Sequence, residues 1–304
     1  MFKETFKYYK SKKPPPSLEN VVDFEDISKW SLYLNEVQSV SNSVKEPNLG
    51  LKKPNTWKIF ELKKHPGLIF IKNPFTAIGQ RYWAVRCLRD FPLSPNKTNL
   101  REKLHDVSKE KKSKQELRWA TLGYHHNWDT KIYSEESKSI FPSDLAELSH
   151  IVSSVLGFKD FKAEAAIVNY YYFNSTLSGH TDHSEENLEA PLFSFSFGQP
   201  AIFLIGGNTL EDYVTPILIR SGDIIAMTKE SRLCYHGVPK IIKDEKCSQW
   251  DDIDSLQKLK DENNVLELCF DSYSWLHYED FLRDSRININ VRQVLNTKQY
   301  CLNN

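Results

Sequence analysis

The apolar positions of this chain change period along its length. From 76 to 91, Ile78, Tyr82, Val85 and Leu88 recur at three- and four-residue steps, the spacing of an amphipathic helix. From 142 to 157, Leu145, Leu148, Val152 and Val155 form a second such stripe, with Ser143 placed to cap it and Gly157 to supply a left-handed stop. Ahead of both, "HPGLIFIKNPF" at 65–75 is a short apolar run closed by Asn-Pro and predicts a strand. After about residue 165 the period falls to two and turn formers recur, in "AAIVNYYYF", "PLFSFSFG", "AIFLIGG", "TPILIR", "DIIAMT" and "RININVRQV". Helices followed by a series of short strands predict an α+β chain whose C-terminal half is a sandwich or small barrel.

Breaks in the pattern divide the chain. The prolines at 14–16 end any opening helix, since each lacks an N–H and turns its predecessor away from the α region. Residues 1–64 therefore read as an N-terminal arm and basic extension, 65–165 as a helical region packed on the core, and 166–304 as the strand-rich core. Within that core, the densely charged "KDEKCSQWDDIDSLQKLKDENN" at 243–264 reads as a surface insertion, partly helical and without chemistry.

Composition narrows the class. The 304 residues, 40% hydrophobic, can bury one sizeable core, and no apolar run approaches the roughly 18–20 residues that span a bilayer. The opening residues lack the apolar stretch of a signal peptide, so an intracellular monomer is expected, with cytoplasm, nucleus and mitochondrion all open. The five cysteines are dispersed, without zinc-cage spacing, and are expected as free thiols. Net charge is zero but uneven: residues 1–120 carry 24 Lys and Arg against 13 Asp and Glu. The basic density peaks at "KEKKSKQELRW", 109–119, with Lys111, Lys112 and Lys114. Alone, such a run is a solvated surface. Directly after it, however, "LRWATLGYHHNWD" brings Trp119, Tyr124, His125, His126 and Trp128, and basic groups beside aromatic ones favour nucleic acid.

The chemistry concentrates in "LSGHTDHSEEN" at 177–187. In extended backbone His180 and Asp182 share a face, while Thr181 and His183 point the other way. The triplet alone is weak evidence for a metal. His236, 54 residues beyond Asp182, would complete a set of two histidines and a carboxylate, which holds one face of an octahedral iron and leaves the other positions open. His183 has the wrong parity to join, and the acids after it read as surroundings. In "SRININVRQV", Arg286, Asn288, Asn290 and Arg292 alternate with Ile287, Ile289 and Val291. Arginines on an inward strand face require an anion, and a dicarboxylate suits the bidentate guanidinium.

The order N-x-Y, H-x-D, H, R-x-N-x-x-x-R resembles the AlkB-type Fe(II)- and 2-oxoglutarate-dependent dioxygenases, and within them the branch of the first animal AlkB homologue. "HPGLIFIKNPF", "LRWATLGYHHNWD", "VNYYYFNSTLSGHTD", "PLFSFSFGQPAIFLIGG" and "SGDIIAMTKESRL" carry that likeness over nearly the whole chain. The resemblance implies a double-stranded β-helix (jelly-roll) core flanked by N-terminal helices. It implies Fe(II) held by His180, Asp182 and His236, with O2 and 2-oxoglutarate as co-reactants. Arg286 would grip the distal carboxylate beside Asn169, Tyr171 and Asn288, with Arg292 nearer the metal. It further implies oxidative demethylation of nucleobases, N1-methyladenosine in tRNA first, with 5-methylcytidine in tRNA and N6-methyladenine in unpaired DNA as alternatives. Its base-stacking aromatic pair falls on Trp119 and His126, where tyrosine is the expected occupant of position 126. Two other classes compete. A binding module that has lost turnover would not need the full ligand and arginine set, and a zinc hydrolase would leave the inward arginines unexplained.

Overall fold

Strand sidedness positions everything that follows, because alternate residues of one strand serve two different interiors. The computed structural model describes residues 1–40, 49–100, 117–253 and 259–302. Its strands in chain order are β1 (Val22–Asp23), β2 (Leu34–Val37), β3 (Lys58–Leu62), β4 (Leu68–Lys72), β5 (Lys97–Thr98), β6 (Trp119–Gly123), β7 (Ala165–Tyr172) and β8 (Leu177–His180). There follow β9 (Leu192–Gly198), β10 (Ala201–Ile205), β11 (Thr215–Ile219), β12 (Ile224–Met227), β13 (His236–Ile241) and β14 (Ser285–Arg292). The helices are α1 (Phe2–Lys10), α2 (Ile27–Trp30), α3 (Ala77–Val85), α4 (Ser143–Val155), α5 (Leu266–Phe270) and α6 (Ser272–Asp284).

Two sheets form, a smaller one ordered β1-β11-β10-β13-β8 and a larger one ordered β2-β3-β4-β12-β9-β14-β7-β6-β5. Phe70, Tyr171, Leu192, Phe203, Ile217 and Ile225 pack between them, giving the expected double-stranded β-helix core. The opposite face of the larger sheet is apolar too. Phe193, Phe195 and Phe197 of β9, Val168 and Tyr170 of β7, and Ile287, Ile289 and Val291 of β14 pack on helical residues such as Trp83, Val152 and Phe281. Each fully buried aliphatic or Phe side chain contributes about 1.5–3 kcal/mol, so β14 is held in one register by its apolar face. That register aims Arg286, Asn288, Asn290 and Arg292 the other way.

Several expectations are refined. The first predicted helix forms α3 and runs on as a π-helical turn through Arg86–Asp90. It is buried all round rather than on one stripe. Its arginines survive burial by pairing: Arg81 donates to the Trp250 and Cys269 carbonyls at 2.7 and 2.9 Å, and Arg86 meets Asp144 at 2.8 Å. Ser143 is the first residue of α4, not its cap, because Pro142 holds the capping position. Gly157 does end the helix in the left-handed region, at φ 91°. The charged segment 243–264 is not purely surface, since Cys247 and Trp250 are fully buried. Its described part carries no helix; α5 and α6 follow it instead. The region 1–64 supplies β2 and β3 to the larger sheet, and α1 buries Phe2 and Tyr9 against the smaller one. Among the described residues no helix is long and apolar enough to cross a membrane.

Candidate metal and cosubstrate site

The pairing of β8 with β13 sets His180 directly opposite His236, with ring centroids 4.3 Å apart. Asp182 follows two residues after the end of β8. His180 Nε2 lies 3.7 Å from Asp182 Oδ1 and His236 Nε2 lies 3.6 Å from Asp182 Oδ2. One ligand atom from each of the three falls within 4.8 Å of the others. Each imidazole is oriented by backbone: Nδ1 of His180 lies 2.9 Å from the Ser178 carbonyl and Nδ1 of His236 lies 3.1 Å from that of Cys234. A carbonyl only accepts, so Nδ1 carries the proton and Nε2 presents its lone pair to the carboxylate. Burial, then the neighbouring His180, lowers His236 to about 4, keeping it neutral. Asp182 Oδ2 is buried with no hydrogen-bond partner. Lone pairs facing a carboxylate are mutually unfavourable until a cation stands between them, so the donor set fits a metal ion.

Deeper between the sheets, Arg286 stands opposite Tyr171 and Asn288 opposite Asn169 in the β14–β7 pairing. These four side chains, Asn290 and His236 line a cavity of about 40 Å³. Arg286 donates to Ser196 Oγ at 2.7 Å and the Gln199 carbonyl at 3.3 Å, while its Nε is buried without a partner. Among the described residues, Arg286 makes no ion pair. Burial lowers its guanidinium to about 10 even though Tyr171 and Asp223 oppose the shift. Asp223 is itself pushed up to about 7 by burial and is a partial countercharge at best. A buried cation with donor capacity to spare marks the place of an anion.

Arg292 has different company. Its guanidinium reaches Asp182 Oδ1 at 2.9 Å, Glu185 Oε1 at 3.3 Å and the Tyr133 hydroxyl at 3.2 Å. Glu185 also pairs with Arg232 at 2.9 Å, and Arg232 donates to the Asp182 carbonyl at 2.6 Å. Burial alone would raise the Asp182 carboxyl, but the Arg292 guanidinium above all holds it well below the ordinary range. The expectation that the acids after His183 are only surroundings is thus corrected for Glu185, whose side chain is 0% exposed. Glu186 and His183 do remain at the surface, where His183 Nδ1 contacts the Thr181 hydroxyl. Glu185, Arg232 and Tyr133 were not foreseen.

A second, wider cavity of about 610 Å³ opens onto His180 and Asp182, with His126, Trp128, Lys131, Asn290 and Arg292 also on its walls. His126 and Trp128 meet edge to face at 4.7 Å, and Trp119 packs against Trp128 at 5.3 Å. The wall is therefore Trp128 with His126, and Trp119 stands behind it on β6. Burial, then Arg292, lowers His126 to about 4; its Nε2 lies 3.0 Å from Ser184 Oγ. Tyr124 does not reach this cavity. It is buried beside Tyr133, its hydroxyl donating to Glu135 and its ring under Lys138 Nζ at 4.7 Å. His125 also turns away, to Thr121. Lys111, Lys112 and Lys114 lie outside the described residues.

The family model described as "2OG-Fe(II) oxygenase superfamily" matches residues 67–292. The chain is 37% identical over 331 residues to the "Nucleic acid dioxygenase ALKBH1" of Mus musculus, covering 98% of this chain and 85% of that one. It is 29% identical to the "DNA N(6)-methyladenine demethylase ALKBH1A" of Arabidopsis thaliana, over 94% of this chain and 90% of that one. Over 59% of its length it is 38% identical to the "tRNA demethylase abh1" of Schizosaccharomyces pombe, of which it covers 53%.

Proposed function

The chain belongs to the 2OG-Fe(II) oxygenase superfamily and to its AlkB-type branch, and from that premise we propose that it oxidatively demethylates nucleobases, N1-methyladenosine in tRNA first. The observation that carries this reading is that two neighbouring cavities share the triad between them: one lined by His236 and Arg286, and a wider one lined by His180 and Asp182 and walled by His126 and Trp128, with Asn169, Leu177 and Asn290 common to both. The superfamily's reactants are Fe(II), 2-oxoglutarate and O2. When bound, the iron supplies the oxidation: 2-oxoglutarate and O2 give succinate and CO2, one oxygen enters the N-methyl C–H bond, and the hemiaminal releases formaldehyde.

The protein's share is binding and orientation. His180, Asp182 and His236 would hold the metal. Arg286 would grip the distal carboxylate of 2-oxoglutarate, with Tyr171, Asn169 and Asn288 around it. Arg292, by engaging Asp182 Oδ1, leaves Oδ2 for the metal and keeps the carboxylate ionised. A base extruded from its stack would lie against Trp128 and His126, both uncharged surfaces that water covers poorly. Lys131 at the rim suits a phosphate. One relative's name speaks of DNA and another's of tRNA. We favour tRNA because the basic excess of residues 1–120 suits a bulky anionic partner with bases already unpaired.

The test incubates the protein with Fe(II), labelled 2-oxoglutarate and total tRNA, and reads CO2 and nucleoside masses beside His180→Ala. Loss of N1-methyladenosine with CO2 above that variant is expected. Decarboxylation no greater than the variant's would leave a non-catalytic binding module, and methyl loss confined to unpaired DNA would transfer the assignment to N6-methyladenine. Oxidation confined to 5-methylcytidine would select the other tRNA reaction. A second expectation concerns the wall. Base stacking on an aromatic is worth about 1–3 kcal/mol, so Trp128→Ala should weaken RNA binding roughly five- to hundredfold. Affinity for 2-oxoglutarate should be unchanged; equal loss of both would show that Trp128 supports the fold rather than the base.

A further inference from the structure

The strand carrying His180 is poorly secured by its own sheet. β8 has four residues, lies at the sheet edge, and pairs with β13 at His180–His236 and Leu177–Val238 with a register shift between. Few ladder hydrogen bonds hold such a strand, so its position depends on what packs against it. What packs there is α1. Phe2, buried with Tyr9, Ile202, Leu204 and Val214, lays its ring against two glycines. A Cβ on Gly179 would come within 2.5 Å of Phe2 Cε1, and one on Gly206 within 3.0 Å of Cδ2.

Each glycine is one step from a histidine. Gly179 precedes His180 and also lines the wide cavity. The Gly206 amide donates to the carbonyl of Tyr235, the residue before His236, at 2.8 Å; the Tyr235 ring lies 6.4 Å from that of Phe2. Beyond the helix the chain is pinned to the same elements. Lys240 of β13 donates to the Ser11 carbonyl at 2.8 Å, and Lys12 donates to Asn174 in the β7–β8 connection, also at 2.8 Å.

We propose that Phe2 is a positioning residue: through Gly179 and Gly206 it clamps the strands of His180 and His236 at their metal-binding separation. This rests on taking His180, Asp182 and His236 as the metal ligands. Outer partners of a ligand set commonly change metal affinity by about 10–100-fold. Phe2→Ala should therefore weaken binding of Mn(II), a redox-inert probe read by the EPR signal of the free ion, on the order of tenfold. Phe2→Leu, which keeps most of the contact, should restore it. Hydrogen exchange at 177–181 should quicken in Phe2→Ala while β9 and β14 keep their protection.

Gly179→Ala attacks the same contact from the strand side and should weaken Mn(II) binding as well. The pair Phe2→Ala with Gly179→Ala should then lose less than the two losses combined, as expected when both act at one contact. Wild-type Mn(II) affinity in folded Phe2→Ala, or full additivity in the double variant, would overturn the clamp. Should Phe2→Ala fail to fold, Gly179→Ala and Phe2→Leu still decide: unchanged exchange at 177–181 with unchanged Mn(II) affinity in Gly179→Ala refutes it. If His236→Ala binds Mn(II) as tightly as wild type, the ligand assignment itself is wrong, which is a different outcome from an intact site indifferent to Phe2.

Discussion

His236→Ala is expected to abolish both metal binding and 2-oxoglutarate decarboxylation, with a loss on the order of a thousandfold or more. The magnitude follows from geometry. Changes to outer partners of a metal site cost about 10–100-fold, and a direct ligand must exceed that. His236 offers a neutral, backbone-oriented Nε2 at 3.6 Å from the orphaned oxygen of Asp182. With the imidazole gone, His180 and Asp182 remain; the closest cation to Asp182 is then Arg292, already paired to Oδ1 at 2.9 Å. Two readouts separate this from simple unfolding. A ligand at a hundred times its Kd stabilises the folded state by about 2.7 kcal/mol, so Mn(II) should raise the melting temperature of wild type and leave that of His236→Ala unmoved. Without metal the two proteins should melt close together. A variant that still decarboxylates 2-oxoglutarate at the wild-type rate would remove His236 from the ligand set.

Which parts of this site could be read from the chain depends on how far strand parity reaches. Parity puts His180 with Asp182, Asn169 with Tyr171, and Arg286 with Asn288 on shared faces, and each pairing is found as drawn. It carries no information across a turn. β6 ends at Gly123, in the left-handed region at φ 68°, and the loop beyond it turns Trp128 back onto His126 while Tyr124 is drawn inward to Glu135. A flat reading of that segment therefore favours Trp119 and Tyr124 over Trp128. Glu185 was illegible for another reason. An acid in a loop is normally solvated, and only partners from distant parts of the chain make its burial tolerable. Here they are Arg232 and Arg292, 47 and 107 positions further along. The stripe of α6, Trp275, Tyr278 and Phe281, was hidden by the charged segment before it, although Trp250 of that segment is as deeply buried as any residue.

Arg286→Leu is expected to raise the Kd for 2-oxoglutarate roughly thirty- to several-thousand-fold, because breaking a desolvated charge pair costs about 2–5 kcal/mol. The same substitution should leave the stability of the protein without cosubstrate close to that of wild type. Burial has lowered the guanidinium from 12.5 to about 10. A cation whose folded pKa is depressed binds its proton less well when folded, so at neutral pH the full penalty is present, on the order of 3 kcal/mol. That penalty is relieved only as pH climbs from about 10 toward 12.5. Leucine removes it at every pH, at the cost of leaving Ser196 Oγ and the Gln199 carbonyl without their donor, about 1–3 kcal/mol each at most. The two effects oppose and nearly cancel without cosubstrate, whereas with 2-oxoglutarate only the loss remains. Melting curves with and without 2-oxoglutarate, in the presence of Mn(II), read both. 2-Oxobutyrate, which lacks the distal carboxylate, supplies the control: it should bind wild type and Arg286→Leu alike. If 2-oxoglutarate stabilises the variant as much as wild type, its distal carboxylate does not meet Arg286, and the unpaired Nε of that residue needs another explanation.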